Sequence, residues 1–207
     1  MRGVSESFLR GRIYALLGEN GAGKTTLLRS MAGLAKPSDG RVTLFGESNL
    51  RSVLHRLGYM AHPSLLYDEM SGTENLRYFA GLYGIHDEQR CREVIQLVGL
   101  DPDLKRRVGQ YSQGMRQRLS LARAIVHDPE LLLLDEPFSN VDITSAREMV
   151  RLLGSMRDHG KTIVIVTHQA SLLEGVADEF VSMHAGRVAA RTTHLPVNSE
   201  ITGLAAP

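Results

Sequence analysis

With 207 residues the chain is long enough for one domain with an ample core and an inserted subdomain, and needs no covalent staples. Charged residues make up 23% and the formal net charge is +1, so no electrostatic footprint favours nucleic acid, while the single cysteine, Cys91, excludes a disulfide framework and a Cys-rich metal site. No apolar run approaches the ~20 residues of a bilayer span and no leader-like segment opens the chain, which predicts a soluble cytoplasmic chain reaching membranes only through a partner.

In chain order, Ser5–Leu9 and Arg12–Leu17 read as a short hairpin turning at Arg10-Gly11. A glycine-rich loop follows, then a helix from Thr25 that Gly33, Pro37 and Gly40 break. Arg41–Phe45 and His55–Met60 read as further short strands. From Thr73 to Leu100 the apolar residues recur at helical spacing, with Gly84 dividing two helices, and a third runs from about Met115 to Val126. Glu130–Asp135 and Thr162–Thr167 are near-continuous apolar runs, the pattern of strands buried on both faces of a parallel sheet. Ala146–His159 is the predicted crossover helix between them. Phe180–Met183 and Arg187–Ala190 flank a turn at Ala185-Gly186 and predict a closing hairpin, and the tail from Thr192 lacks periodicity. The fold expected is an α/β nucleotide-binding core, residues 1–65 and 129–191, interrupted by a helical subdomain at 66–128, with a loose tail at 192–207.

The chemistry sits at three places along this order. Gly18-Glu19-Asn20-Gly21-Ala22-Gly23-Lys24-Thr25 fits G-x-x-x-x-G-K-[ST], with a strand-like run before it and Thr26 opening a helix-like run after it. Glycines let backbone N–H groups curl around a polyphosphate, Lys24 reaches the β/γ-phosphates, and the Thr25 hydroxyl is placed to ligate Mg²⁺. Four leucines then run into Asp135-Glu136, a rigid strand end that suits one carboxylate to the metal and the other to the attacking water. Lastly Tyr111-Ser112-Gln113-Gly114-Met115 opens a helix just before that strand, where Ser112 reads either as an ordinary N-cap or as a phosphate-binding serine.

Taken together these motifs resemble the ATP-binding-cassette (ABC) ATPases, a P-loop NTPase, RecA-like fold with an inserted α-helical subdomain. The resemblance covers about residues 3–190 and extends to Phe138–Asp142, similar to the family's D-loop, and to His168, at its switch-histidine position. It implies ATP and Mg²⁺ as cofactors and a head-to-tail dimer. Each copy would give Lys24, Thr25, Asp135, Glu136 and His168 to one ATP, and Ser112 with Gly114 to the other. It further implies a separate transmembrane permease as partner, a peripheral position on the cytoplasmic face of the plasma or inner membrane, and a permease-facing groove around His62–Asn75.

Two departures stand out. His62 occupies the position of the family's metal-linked glutamine. A protonated His62 would repel Mg²⁺, which predicts activity falling with pH and an acid limb of the pH–rate profile that His62→Gln moves. The family's further strand and adenine-stacking aromatic are absent ahead of Val4, and Tyr14 stands in the wrong place to substitute, so either the start lies upstream or affinity rests on the phosphates. The run His62–Met70 with Thr73–Phe79 is similar to the ATPase subunit of the haem exporter of cytochrome c maturation, though drug-, lipid- and polysaccharide-exporter ATPases share the small size and the signature. Non-transport ABC ATPases of DNA repair or ribosomes carry long coiled coils or paired cassettes, which this sequence lacks. A simple P-loop kinase would leave Ser112 and His168 without a role.

Overall fold

The computed structural model describes residues 1, 3–61 and 63–196. Its centre is a six-stranded sheet made of β1 (Ile13–Leu17), β2 (Leu57–Met60), β3 (Leu131–Asp135), β4 (Thr162–Val166), β5 (Glu179–His184) and β6 (Arg187–Thr192). The strands lie in the order β2-β3-β4-β1-β5-β6. All neighbours pair parallel except β5 with β6, which form the antiparallel closing hairpin expected from sequence. Every position of β1, β3 and β4 is buried, as their uninterrupted apolar runs require.

Helices cover both faces. On one, α1 (Lys24–Met31) seats Leu27, Leu28 and Met31 against Tyr14, Leu16, Leu133 and Val164. On the other, Ala15, Leu132, Leu134 and Ile163 join a cluster that includes Met149 and Leu153 of α5 (Ile143–Asp158). That cluster runs on without a break into α2 (Gly72–Leu82), α3 (Glu88–Leu97) and α4 (Gln113–Ile125) through Leu76, Val94, Ile95 and Leu119. The helical insert therefore shares its core with the sheet. Each insert helix begins at a side-chain cap: Ser71 with a reciprocal Glu74 box, Asp87, and Ser112. Among the described residues no helix is long and apolar enough to cross a membrane.

Three local expectations need correction. Ser5–Leu9 is not a strand. Both edges of β1 are occupied, by β4 and by β5, so no edge is left for an opening hairpin. Instead Phe8 packs edge-on to Tyr14, whose hydroxyl accepts a hydrogen bond from the Leu9 N–H at 2.7 Å. Arg41–Phe45 forms only a single bridge, Leu44 to Glu47, because Phe45 and Gly46 both adopt positive φ (55° and 87°) and turn the chain at once. Thr192 belongs to β6, and Leu195 packs against the main cluster; residues 197–207 lie outside the described residues.

Candidate nucleotide site

Parallel pairing of β3, β4 and β1 brings three strand ends to one edge of the sheet, where ligands of open α/β sheets bind. β1 delivers the loop Gly18–Gly23, β3 delivers Asp135 and Glu136, and β4 delivers Thr167 and His168.

The loop needs its glycines for two separate reasons. Gly18 (φ 140°) lies so close to β5 that a Cβ would overlap the Met183 carbonyl oxygen. Gly23 (φ 102°) is the left-handed N-cap of α1. Lys24, 6% exposed, donates from Nζ to the carbonyls of Gly18 at 2.7 Å and Glu19 at 3.0 Å, spanning the loop. Burial lowers its pKa, while the negative charges of Glu136 and Asp135 act in the opposite sense.

Thr25 Oγ1 donates to Asp135 Oδ1 at 3.1 Å, and Asp135 is buried. A hydroxyl beside a buried carboxylate at a phosphate-binding loop is a hard-oxygen pair of the kind that would hold Mg²⁺. These residues therefore fit the metal, although among the described residues no three His, Cys, Asp or Glu side chains gather into a self-sufficient metal cage.

Glu136 takes a left-handed backbone conformation (φ 51°) as the chain leaves the sheet, its N–H still bonded to the Val166 carbonyl at 2.9 Å. Its Oε2 accepts from the His168 N–H at 3.3 Å and from Ser139 Oγ at 3.4 Å. The buried Oε1 makes no hydrogen bond and lies 3.4 Å from His168 Nε2. A carboxylate with one idle oxygen beside an imidazole is poised to accept a proton.

An open pocket of about 240 Å³ joins these groups. Asn20, Gly21 and Gly23 to Thr26 form one wall, and Glu136, Val166 and His168 the other. Lys24, Thr25, Glu136 and His168 thus meet as the sequence led us to expect. Ser112 and Gly114 do not join them in this chain: Ser112 is exposed at the start of α4, capping the Met115 N–H at 3.2 Å. His62 lies outside the described residues.

Gln117 was not foreseen. It is a buried polar residue of α4, and its Nε2 donates to the carbonyls of Glu136 (3.4 Å) and Ser139 (3.3 Å), tying the insert to the carboxylate-bearing turn. Helical spacing carried a trace of it, since Gln117 stands four residues before the buried Leu121.

A family model described as "ABC transporter" matches residues 1–139. The chain is 40% identical over 183 residues to the bacitracin transport ATP-binding protein BcrA of Bacillus licheniformis, covering 86% of this chain and 60% of that protein. It is 36% identical over 195 residues to the ABC transporter ATP-binding protein NatA of Bacillus subtilis, covering 91% and 79%. The chain thus spans little more than half the length of the first relative. Among solved structures, an ATP binding subunit of an ABC transporter superposes with a TM-score of 0.82 at 29% identity, covering 92% of this chain and 82% of that one. The ATP-binding cassette MJ0796, a dimer bound to ADP and Pi, shares the fold at a TM-score of 0.85 and 22% identity, covering 94% and 90%.

Proposed function

The chain belongs to the ABC transporter family and carries its ATPase domain, and from that premise we propose that it powers transport through a separate membrane permease. The observation that carries this reading is the division of the phosphate-binding groups. Lys24, Thr25, Glu136 and His168 share one pocket, while Ser112 stands exposed at the start of α4, where a second copy can present its own ATP.

In the mechanism proposed, the loop N–H groups and Lys24 hold the β- and γ-phosphates, and Thr25 with Asp135 would hold Mg²⁺. When bound, Mg²⁺ would supply neutralisation of the phosphate charge. Glu136 accepts a proton from water as its oxygen bonds to the γ-phosphorus. The bond from that phosphorus to the β–γ bridging oxygen breaks, and ADP leaves with the electron pair. His168 steadies the γ-phosphate and, through its N–H, the Glu136 carboxylate. Residues 66–128 form the helical insert beside the permease, and the chain sits peripherally at the cytoplasmic face of the membrane.

As cargo we favour bacitracin or a related compound, because BcrA, named for bacitracin transport, stands at 40% identity. Haem export for cytochrome c maturation draws no support from these relatives. The role proposed for His62 at the metal rests on the sequence alone.

Tagging the chain in its own host, extracting membranes in mild detergent and identifying what co-purifies tests the proposal. Recovery with a multi-span permease supports it. Recovery only in the soluble fraction, with ribosomes or DNA, overturns transport and leaves the ATP site intact.

A further inference from the structure

Glu136 stands at the head of a turn whose own bonds hold it loosely. Glu136 and Asn140, at its two ends, both take left-handed backbone conformations (φ 51° and 58°). Asparagine adopts that region more readily than glutamate, so Glu136 keeps it only while its surroundings impose it. The backbone bonds within the turn are long, 3.2 Å from the Ser139 N–H to the Glu136 carbonyl and 3.3 Å from the Val141 N–H to the Phe138 carbonyl.

Two side-chain amides supply the constraint. From the helical insert, the buried Gln117 brings Nε2, with its two hydrogens, to the carbonyls of Glu136 at 3.4 Å and Ser139 at 3.3 Å. From the sheet, Gln169 Nε2 donates to the Phe138 carbonyl at 3.2 Å. Gln169 is itself anchored at the exit of β4, where its N–H donates to Oγ1 of the buried Thr167 at 3.0 Å. It directly follows His168, whose N–H meets Glu136 Oε2 at 3.3 Å.

Satisfying a buried polar group does not account for Gln169. The Phe138 carbonyl already accepts the Val141 N–H, and Gln169 is exposed, where water can take its amide. What the added bond fixes is the spacing between the turn and the β4 exit. Across that spacing the idle Glu136 Oε1 lies 3.4 Å from His168 Nε2.

We infer that Gln117 and Gln169 are positioning residues for ATP hydrolysis, their amides holding the Glu136–Ser139 turn from the insert and from the end of β4 and so aiming the Glu136 carboxylate into the pocket. The inference rests on Glu136 as the base and deepens that reading by naming what holds it. Gln117 also stands roughly 7.5 Å along α4 from Ser112, so a shift at that end of the helix reaches Glu136 through one side chain.

The test measures steady-state ATP hydrolysis by the purified full-length chain. Gln117→Met and Gln169→Met remove the donors at similar length. Each should lower kcat about ten- to hundredfold, with KM for ATP within about twofold of the unsubstituted value. Gln169→Arg, which keeps an N–H donor within reach, should recover most of the rate. In single-turnover phosphate release, Gln169→Met added to Glu136→Gln should cost nothing further, because the residue acts through that carboxylate. Melting temperatures report folding, and should Gln117→Met melt below the assay temperature, the exposed Gln169 decides. An unchanged kcat for Gln169→Met overturns the inference. So does a loss that appears in KM, that Gln169→Arg leaves unrepaired, or that multiplies with the loss from Glu136→Gln. Turnover by Glu136→Gln at the unsubstituted rate instead overturns the reading of Glu136 beneath it.

Discussion

In the mechanism proposed, Glu136 is the residue that takes the proton. Its left-handed backbone costs on the order of 1–2 kcal/mol for a side-chain-bearing residue, and the turn it makes sets the carboxylate against His168 and Ser139. Glu136→Gln keeps the shape and removes the base. We predict a fall in phosphate release of about 10²–10⁴-fold with MgATP binding retained, and turnover at the unsubstituted rate would assign the proton to another group. Gln117→Leu should leave the carbonyls of Glu136 and Ser139 without their buried donor, at a cost of about 1–3 kcal/mol read from the urea midpoint. The candidate site residues that were legible in sequence are those fixed by local spacing. Lys24 and Thr25 follow the glycines directly, and Asp135 and Glu136 end an apolar strand. Gln117 was not legible because its acceptors lie about twenty residues further along and its own helix is studded with polar side chains.

At the scale of elements, the contact between β2 and α4 is the least forgiving. A Cβ at Gly58 would overlap the Ala124 carbonyl oxygen and press on Leu132. Gly58→Ala should therefore force β2 from α4 and lose about 1–3 kcal/mol, with a lower urea midpoint and unchanged slope. His127 makes the same contact sensitive to pH. Burial lowers its pKa more than the Leu57 carbonyl and Asp128 raise it. The folded chain then binds fewer protons than the unfolded one, so this contribution is complete above about pH 6.5 and is lost as pH falls toward the lowered value. Melting temperatures of His127→Gln should fall less steeply below pH 6.5 than those of the unsubstituted chain; parallel curves would remove His127 from the acid response. The buried strands β3 and β4 were legible because burial on both faces leaves an unbroken apolar run. The supposed opening hairpin was not, because which strands flank β1 is decided by segments about 150 residues away. Nor was the turn at Phe45, where a bulky residue takes the positive φ usually left to glycine or asparagine.

For the whole molecule, the strand order gathers the loop, the acidic strand end and His168 at one edge, yet leaves the Ser112 end of α4 outside the pocket they form. On the function proposed, one chain would hold two halves of different sites, and closure of two copies would complete both. Sedimentation velocity of the Glu136→Gln chain in saturating MgATP measures this directly. The account predicts a species of twice 22.8 kDa in MgATP, the monomer in MgADP, and the monomer again when Ser112→Arg is added. A Glu136→Gln chain that binds MgATP and stays monomeric would contradict it.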